Sequence, residues 1–186
     1  MYQVFLMVRT FIAIDLAPEV RERMRGPQGA LAGCRARLSL VKPPSIHITL
    51  KFLGEIDERT LERVKEALAA IRFEPFEVTI AGVKGNPPPS PRVIWCEVRD
   101  GGASRRLFQL VEESLAPLGI PRERRPYTPH ATLARVKRPD ASLIPVLRSL
   151  AGEEFGSCSV RSIKLKKSTL TPEGAIYEDL LEVPCS

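Results

Sequence analysis

Apolar positions change period along the chain, and the changes mark out the elements. Val8 to Leu16 is a run of apolar and β-branched residues that predicts a buried strand. Pro18 suits a first helical position, and Glu19 to Leu31 continues as one charged helix. Arg37 to Val41 predicts a short strand stopped by Pro43-Pro44. Ile46 to Leu53 is a further strand, in which Ile48, Leu50 and Phe52 share one face and His47, Thr49 and Lys51 the other. Gly54 is expected to end it. Leu61, Val64, Leu68 and Ile71 recur at helical spacing, with Asp57 as the N-cap of a helix over Glu58 to Ile71.

Phe73 to Val83 and Val93 to Val98 predict strands on either side of a Pro-rich loop, Gly85 to Pro91. That loop, near the middle of the chain, is the candidate hinge. Asp100-Gly101-Gly102 is a turn, and Ser104 to Leu118 a helix. Pro121 to Pro129 is a loop, His130 to Val136 a strand and Ser142 to Leu150 a short helix. Phe155 to Leu170 and Ala175 to Val183 predict a closing strand pair, joined at Thr171-Pro172-Glu173-Gly174. Interspersed strands and helices point to α/β or α+β organisation, and no low-complexity linker divides the 186 residues. One bilobal domain is expected over residues 1–186.

Composition narrows the class. Hydrophobic residues make up 44% and charged residues 27%, which excludes wholesale disorder. Arg9 and Asp15 interrupt the apolar opening and no run of ~18 apolar residues follows, so no transmembrane helix is expected; nor is a signal peptide, because no basic n-region precedes a small-residue cleavage site. Cys34, Cys96, Cys158 and Cys185 show no C-x-x-C spacing and read as reduced thiols of a cytoplasmic protein. The net charge of +6 permits phosphate-bearing partners, though ordinary solubility charge is the simpler account of it.

The chain has two histidines, one in His47-Ile48-Thr49-Leu50 and the other in His130-Ala131-Thr132-Leu133. A lone strand histidine is more often structural than catalytic. Two H-x-T-L copies that use every histidine in the chain suggest an internal duplication and a shared site. Residues i and i+2 of a strand project to one face, so each motif presents an imidazole beside a hydroxyl. If the two strands are neighbours, two imidazoles and two hydroxyls converge. Histidine titrates near neutrality, so such a pair suits general acid and general base on opposite sides of a phosphorus, with threonine hydroxyls on its oxygens. This chemistry requires no metal and no cofactor. No P-loop, G-x-S-x-G elbow or G-x-G-x-x-G fingerprint competes, and no zinc-type histidine spacing is present.

With these motifs the sequence resembles the 2H phosphoesterase superfamily, and within it the RNA 2′,3′-cyclic phosphodiesterase (2′-5′ RNA ligase) family. The likeness runs in order through Arg9 to Ile14, His47 to Gly54, Pro129 to Val136, and Ser168-Thr169-Leu170 with Gly174 and Tyr177. The resemblance implies an α+β, bilobal, pseudo-twofold fold, two antiparallel sheet lobes flanked by helices around a central cleft. It implies metal-independent hydrolysis of RNA terminal 2′,3′-cyclic phosphate to a 2′-phosphomonoester, and reversible ATP-independent 2′-5′ ligation in some members. By carry-over His47 is the proton donor, His130 the proton acceptor, and Thr49 and Thr132 hold the phosphate. Arg135 matches a family arginine after the second motif. Strict alternation puts it on the face opposite His130, so a bulge or a strand end is needed to bring it into the cleft.

Phe11, Phe52 and Tyr127 are candidate stacking faces for a base, with Phe52 read as core from its alternation. Lys51 shares the motif face. Arg122, Arg124, Arg125, Lys164, Lys166 and Lys167 either track an RNA backbone or simply face solvent. The expected partner is an RNA end bearing a cyclic phosphate, with no membrane, no obligate protein partner and a monomeric state. The alternatives are a phosphoesterase acting on small cyclic nucleotides or 2′-5′ oligonucleotides, and a non-catalytic RNA-end-binding protein.

Overall fold

A β-branched run bordered by polar residues extends and pairs, and β1 (Met7–Asp15) does so at the centre of one lobe. The computed structural model describes residues 7–172 and 174–186, so Glu173 of the expected last turn lies outside the described residues. The chain continues through α1 (Pro18–Arg23), α2 (Arg25–Ala32), β2 (Arg37–Leu40), β3 (His47–Asp57), α3 (Glu58–Ala69), β4 (Phe76–Asn86) and β5 (Val93–Arg99). It then forms α4 (Ala103–Leu115), β6 (His130–Arg138), α5 (Leu143–Leu150), β7 (Glu154–Val160), β8 (Ser162–Thr171) and β9 (Gly174–Pro184). The fold is α+β, and among the described residues no helix is long and apolar enough to cross a membrane.

Three expectations about elements need correction. The single helix after Pro18 is two, broken at Met24. A helix running through would set the Pro27 ring against the Arg23 carbonyl, whereas restarting at Arg25 places Pro27 in a first turn, where no N–H is needed. Gly54 does not end its strand. At φ +73° it sits where the β1 register shifts, and β3 runs on to Asp57. The closing pair is three strands: the chain turns at Arg161, sending β7 to pair with β4 while β8 and β9 pair with each other.

The helix after Asp57 is as expected at its start. Asp57 Oδ1 accepts from the Thr60 N–H at 2.7 Å, and Leu61, Val64 and Leu68 are buried beneath α3. Asp57→Ala removes that cap and is expected to cost about 1 kcal/mol, read as a lower urea midpoint with an unchanged m-value. An unmoved midpoint would show the cap to be idle.

Among the described residues nine strands form one antiparallel sheet in the order β7-β4-β5-β6-β3-β1-β8-β9, with β2 also on β6. Two lobes, β9-β8-β1-β3 and β6-β5-β4-β7, meet where β3 and β6 pair at Ile48 and Ala131. The halves are interlaced. β4, from the first half, pairs with β5, and β8, from the second, pairs with β1. The segment after Asn86, expected as a hinge, joins β4 and β5 within one lobe, and the chain passes between lobes on either side of β2, after α3 and at Arg161.

The registers of the lobes match residue for residue. β1 sets Asp15 opposite His47, Ala13 opposite Thr49 and Phe11 opposite Phe52. β5 sets Glu97 opposite His130, Trp95 opposite Thr132 and Val93 opposite Arg135. Over these stretches each skips one residue, Leu50 on β3 and Leu133 on β6; β3 skips a second, Leu53, beyond Phe52. An internal duplication accounts for this correspondence where sequence identity alone does not. Ile12, Ile14, Ile48, Ile80, Ile94, Leu107, Leu115 and Leu133 are among the fully buried side chains that seal the sheet against the helices.

Candidate active site

The bridge between Ile48 and Ala131 decides what faces what. In an antiparallel pair, residues flanking a bridge lie across from one another, so His47 is set against Thr132 and Thr49 against His130. Ile48 and Ala131 are fully buried, and the four motif side chains emerge half-buried on the opposite face. The structure therefore brings His47, Thr49, His130 and Thr132 together, as the spacing predicts.

Each imidazole is held in one tautomer. His47 Nδ1–H donates to the Ser45 carbonyl at 2.8 Å, and His130 Nδ1–H donates to the Thr128 carbonyl at 2.8 Å. A carbonyl can only accept, so in the neutral ring Nε2 is the free basic nitrogen. At His47 that nitrogen accepts from the Thr49 hydroxyl at 3.1 Å. Burial lowers the His47 pKa to about 4, with Lys166 and Arg21 pushing the same way and the Ser45 bond and Asp15 opposing. Burial also lowers His130, against the Thr128 bond.

Aromatic rings pack on both histidines. Phe11 and Tyr177 lie 4.9 and 5.3 Å from His47, centroid to centroid, and Trp95 lies 4.2 Å from His130. Trp95 carries no motif and is not expected here from sequence. Its cross-strand position opposite Thr132 is a signal that needs the register, which the sequence does not print. Sequence reasoning also misses Asp15 and Glu97, opposite the two histidines. Asp15 binds Arg21, Lys164 and Lys166 at 2.9, 3.3 and 3.0 Å, and Glu97 binds Lys84 at 2.5 Å. A pocket of about 310 Å³ opens beside His47, lined by Asp15, Lys42, Ser45, Lys166 and Tyr177 among others.

The skipped residues overturn the simple alternation. At Leu50 and Leu133 two consecutive side chains turn inward, Leu50 with Lys51 and Leu133 with Ala134. Beyond each bulge the faces exchange. Arg135 is thereby carried to the face of His130 and Thr132, near enough to Tyr177 to act on its phenol. Phe52 is moved the same way. Expected in the core, it is 67% exposed and packs 6.0 Å from Phe11 on the cleft face.

Lys51, expected on the motif face, is instead buried at 6% exposure and paired with Glu112, with a further bond from Nζ to the Pro121 carbonyl at 2.8 Å. Tyr127 is not an open stacking face either. Its ring stacks on Phe108 at 4.4 Å and its hydroxyl donates to the Thr49 carbonyl at 3.1 Å. Phe11 is buried. Lys166 is buried between Asp15 and Asp179, and Lys164 and Lys167 are also in ion pairs. Arg122, Arg124 and Arg125 are exposed on the loop before β6.

Known proteins are similar to this chain in sequence and in fold. The family profile described as the 2′-5′ RNA ligase superfamily matches residues 16–169. The chain is 39% identical to the RNA 2′,3′-cyclic phosphodiesterase of Archaeoglobus fulgidus over 174 residues, covering 93% of this chain and 98% of that one. It is 39% identical to the protein of the same name from Aeropyrum pernix, covering 87% of this chain and 94% of the other. Among solved structures, Escherichia coli LigT complexed with 3′-AMP superposes with a TM-score of 0.82 at 26% identity, over 97% of this chain and 99% of that one. The Thermus thermophilus protein TT0787 superposes with a TM-score of 0.81 at 28% identity, over 95% of this chain and 97% of that one. Two motif strands meeting in a doubled fold, a profile spanning most of the chain and full-length relatives agree: this chain belongs to the 2′-5′ RNA ligase superfamily.

Proposed function

We propose that the chain hydrolyses RNA terminal 2′,3′-cyclic phosphate to a 2′-phosphomonoester, without a metal, by two-histidine acid–base catalysis. The observation that carries this reading is the pair of Nδ1-anchored imidazoles, one from each lobe, on strands that touch at Ile48 and Ala131. The names of the A. fulgidus and A. pernix relatives support the substrate.

In this mechanism His130 Nε2 takes a proton from water as its oxygen bonds to phosphorus. The bond from phosphorus to the 3′ oxygen breaks, and His47 Nε2–H gives that oxygen its proton. Thr49 and Thr132 donate to the non-bridging oxygens, and Arg135, brought to the cleft face by the Leu133 bulge, adds a charge-assisted contact. A buried neutral His47 is a poor acid, and the entering phosphodiester anion favours its imidazolium form. The exposed ring of Phe52 supplies a stacking face for a base. An RNA 5′-hydroxyl in place of water gives a 2′-5′ linkage through the same proton transfers. The protein works as one bilobal domain, monomeric and cytoplasmic.

The test is a short RNA ending in 2′,3′-cyclic phosphate, incubated with the protein and EDTA. A 2′-phosphate product is expected, whereas a 3′-phosphate product or inhibition by the chelator would overturn the mechanism. The pH profile follows from the two histidines. One must be protonated and the other neutral, and burial lowers both in the free protein. The protonated fraction falls as pH rises through these lowered values, so kcat/KM is bell-shaped with its maximum on the acid side of the ordinary histidine value of about 6.5. A maximum above about pH 7 would contradict the burial of the pair.

A further inference from the structure

Two buried polar groups outside the cleft touch the motif strands where they bulge. Gln28, on α2 and 6% exposed, donates from Nε2 to the Leu133 carbonyl at 3.1 Å and to the Val41 carbonyl at 2.6 Å. The Val41 N–H closes the same cluster by donating to the Leu133 carbonyl at 2.9 Å. Leu133 is the residue that β6 skips, and Val41 lies in the segment leading to His47. Lys51, next to the skipped Leu50 on β3, is bound by Glu112 of α4 and reaches the Pro121 carbonyl. Glu112 also accepts from the Glu123 N–H at 3.1 Å, in the segment leading to His130.

These groups correspond under the pseudo-twofold relation. α2 follows β1 and reaches β6, while α4 follows β5 and reaches β3. Each helix thus ties the bulge of one motif strand to the approach of the other. At Leu133 the carbonyl accepts from the Gln28 amide as well as from the Val41 N–H, and at Leu50 the buried Glu112 partner holds Lys51 inward beside Leu50, an arrangement that strict alternation forbids; each contact therefore favours the bulged register.

We infer that Gln28 and the Lys51–Glu112 pair are matched positioning clamps, the first holding Arg135 and the second Phe52 on the cleft face by fixing the bulge before each. The inference rests on the reading of this cleft as the RNA-phosphate site. A fixed bulge keeps the later side chains aimed into the cleft. A relaxed one returns them to alternation, with Arg135 and Phe52 turned away.

Double-variant cycles separate this from general stability. Gln28→Met is expected to lower kcat/KM by about tenfold or more, the scale of a small misplacement of a binding group. In an Arg135→Ala background the same substitution costs less than about twofold, whereas in a Phe52→Ala background it keeps its full effect. Lys51→Met combined with Glu112→Met shows the opposite pattern, losing its effect only beside Phe52→Ala. Trp95, the only tryptophan, lies opposite Thr132 and against His130, so its emission reads β6 without substrate. Gln28→Met is expected to change the pH-dependent quenching of Trp95 by His130, and the Lys51–Glu112 double variant to leave it unchanged.

Equal losses in all backgrounds with an unaltered Trp95 titration overturn the inference. An Arg135→Ala protein of full activity instead retires the proposed role of Arg135, and the Trp95 titration still decides whether Gln28 sets the bulge. If Gln28→Met is unfolded at the assay temperature, Gln28→Asn carries the same cycles, because its shorter amide loses the reach to Leu133. Additive losses there, with wild-type emission, overturn the inference equally.

Discussion

Alanine at His47 or at His130 is expected to lower turnover of an RNA 2′,3′-cyclic phosphate by about 10²–10⁴-fold, the range of a lost general acid or base. The two effects do not multiply. Once one proton transfer is gone, the other histidine has less to do, and the double variant is expected to fall only slightly below the worse single one. Single-turnover measurements on proteins of unchanged thermal midpoint check this. The lost rings are half-buried against Phe11, Tyr177 and Trp95, so midpoints are measured alongside rates. Near-wild-type turnover in either variant would remove that histidine from the mechanism. Unchanged RNA binding with no wild-type turnover would instead describe a binding protein.

Lys51→Met is expected to destabilise the fold by about 3–5 kcal/mol, the cost of leaving a buried carboxylate without its cation. Lys51 and Glu112 are both nearly sealed from solvent. Replacing both residues by methionine is expected to recover much of the stability, because a buried pair is often exchangeable for apolar packing. Urea unfolding of the three proteins measures this directly. A single substitution with no cost would mean that water reaches the pair.

Element types and the motif pair are legible because they depend on local periodicity and on residues close in sequence. Helix α3 is readable from Asp57 and three apolar positions, and the meeting of His47 with His130 follows from duplication of H-x-T-L. Consequences of register are not legible in the same way. A bulge of one residue exchanges the faces of everything after it, and nothing in Leu50-Lys51-Phe52 announces one. Alternation therefore puts Phe52 in the core and Lys51 in the cleft, each the reverse of its place. For Arg135 the need for a bulge or a strand end is visible, while the bulge at Leu133 is not. Trp95, Asp15 and Glu97 escape for a related reason, since cross-strand neighbours are distant in sequence and carry no signature of their own.

The interlacing of the halves constrains how such a chain could have arisen and how it can be cut. β4 leaves the half that made it to cover β5, and β8 does the same for β1. A polypeptide ending after β4 would have an uncovered β1 and a fourth strand with no host. Two copies of it could satisfy both by trading those strands, giving a symmetric, strand-exchanged pair with one H-x-T-L from each. Joining the two copies end to end turns that exchange into a permanent crossing within one molecule. Fragments severed in the β4–β5 connection would accordingly be inert apart and competent only when mixed.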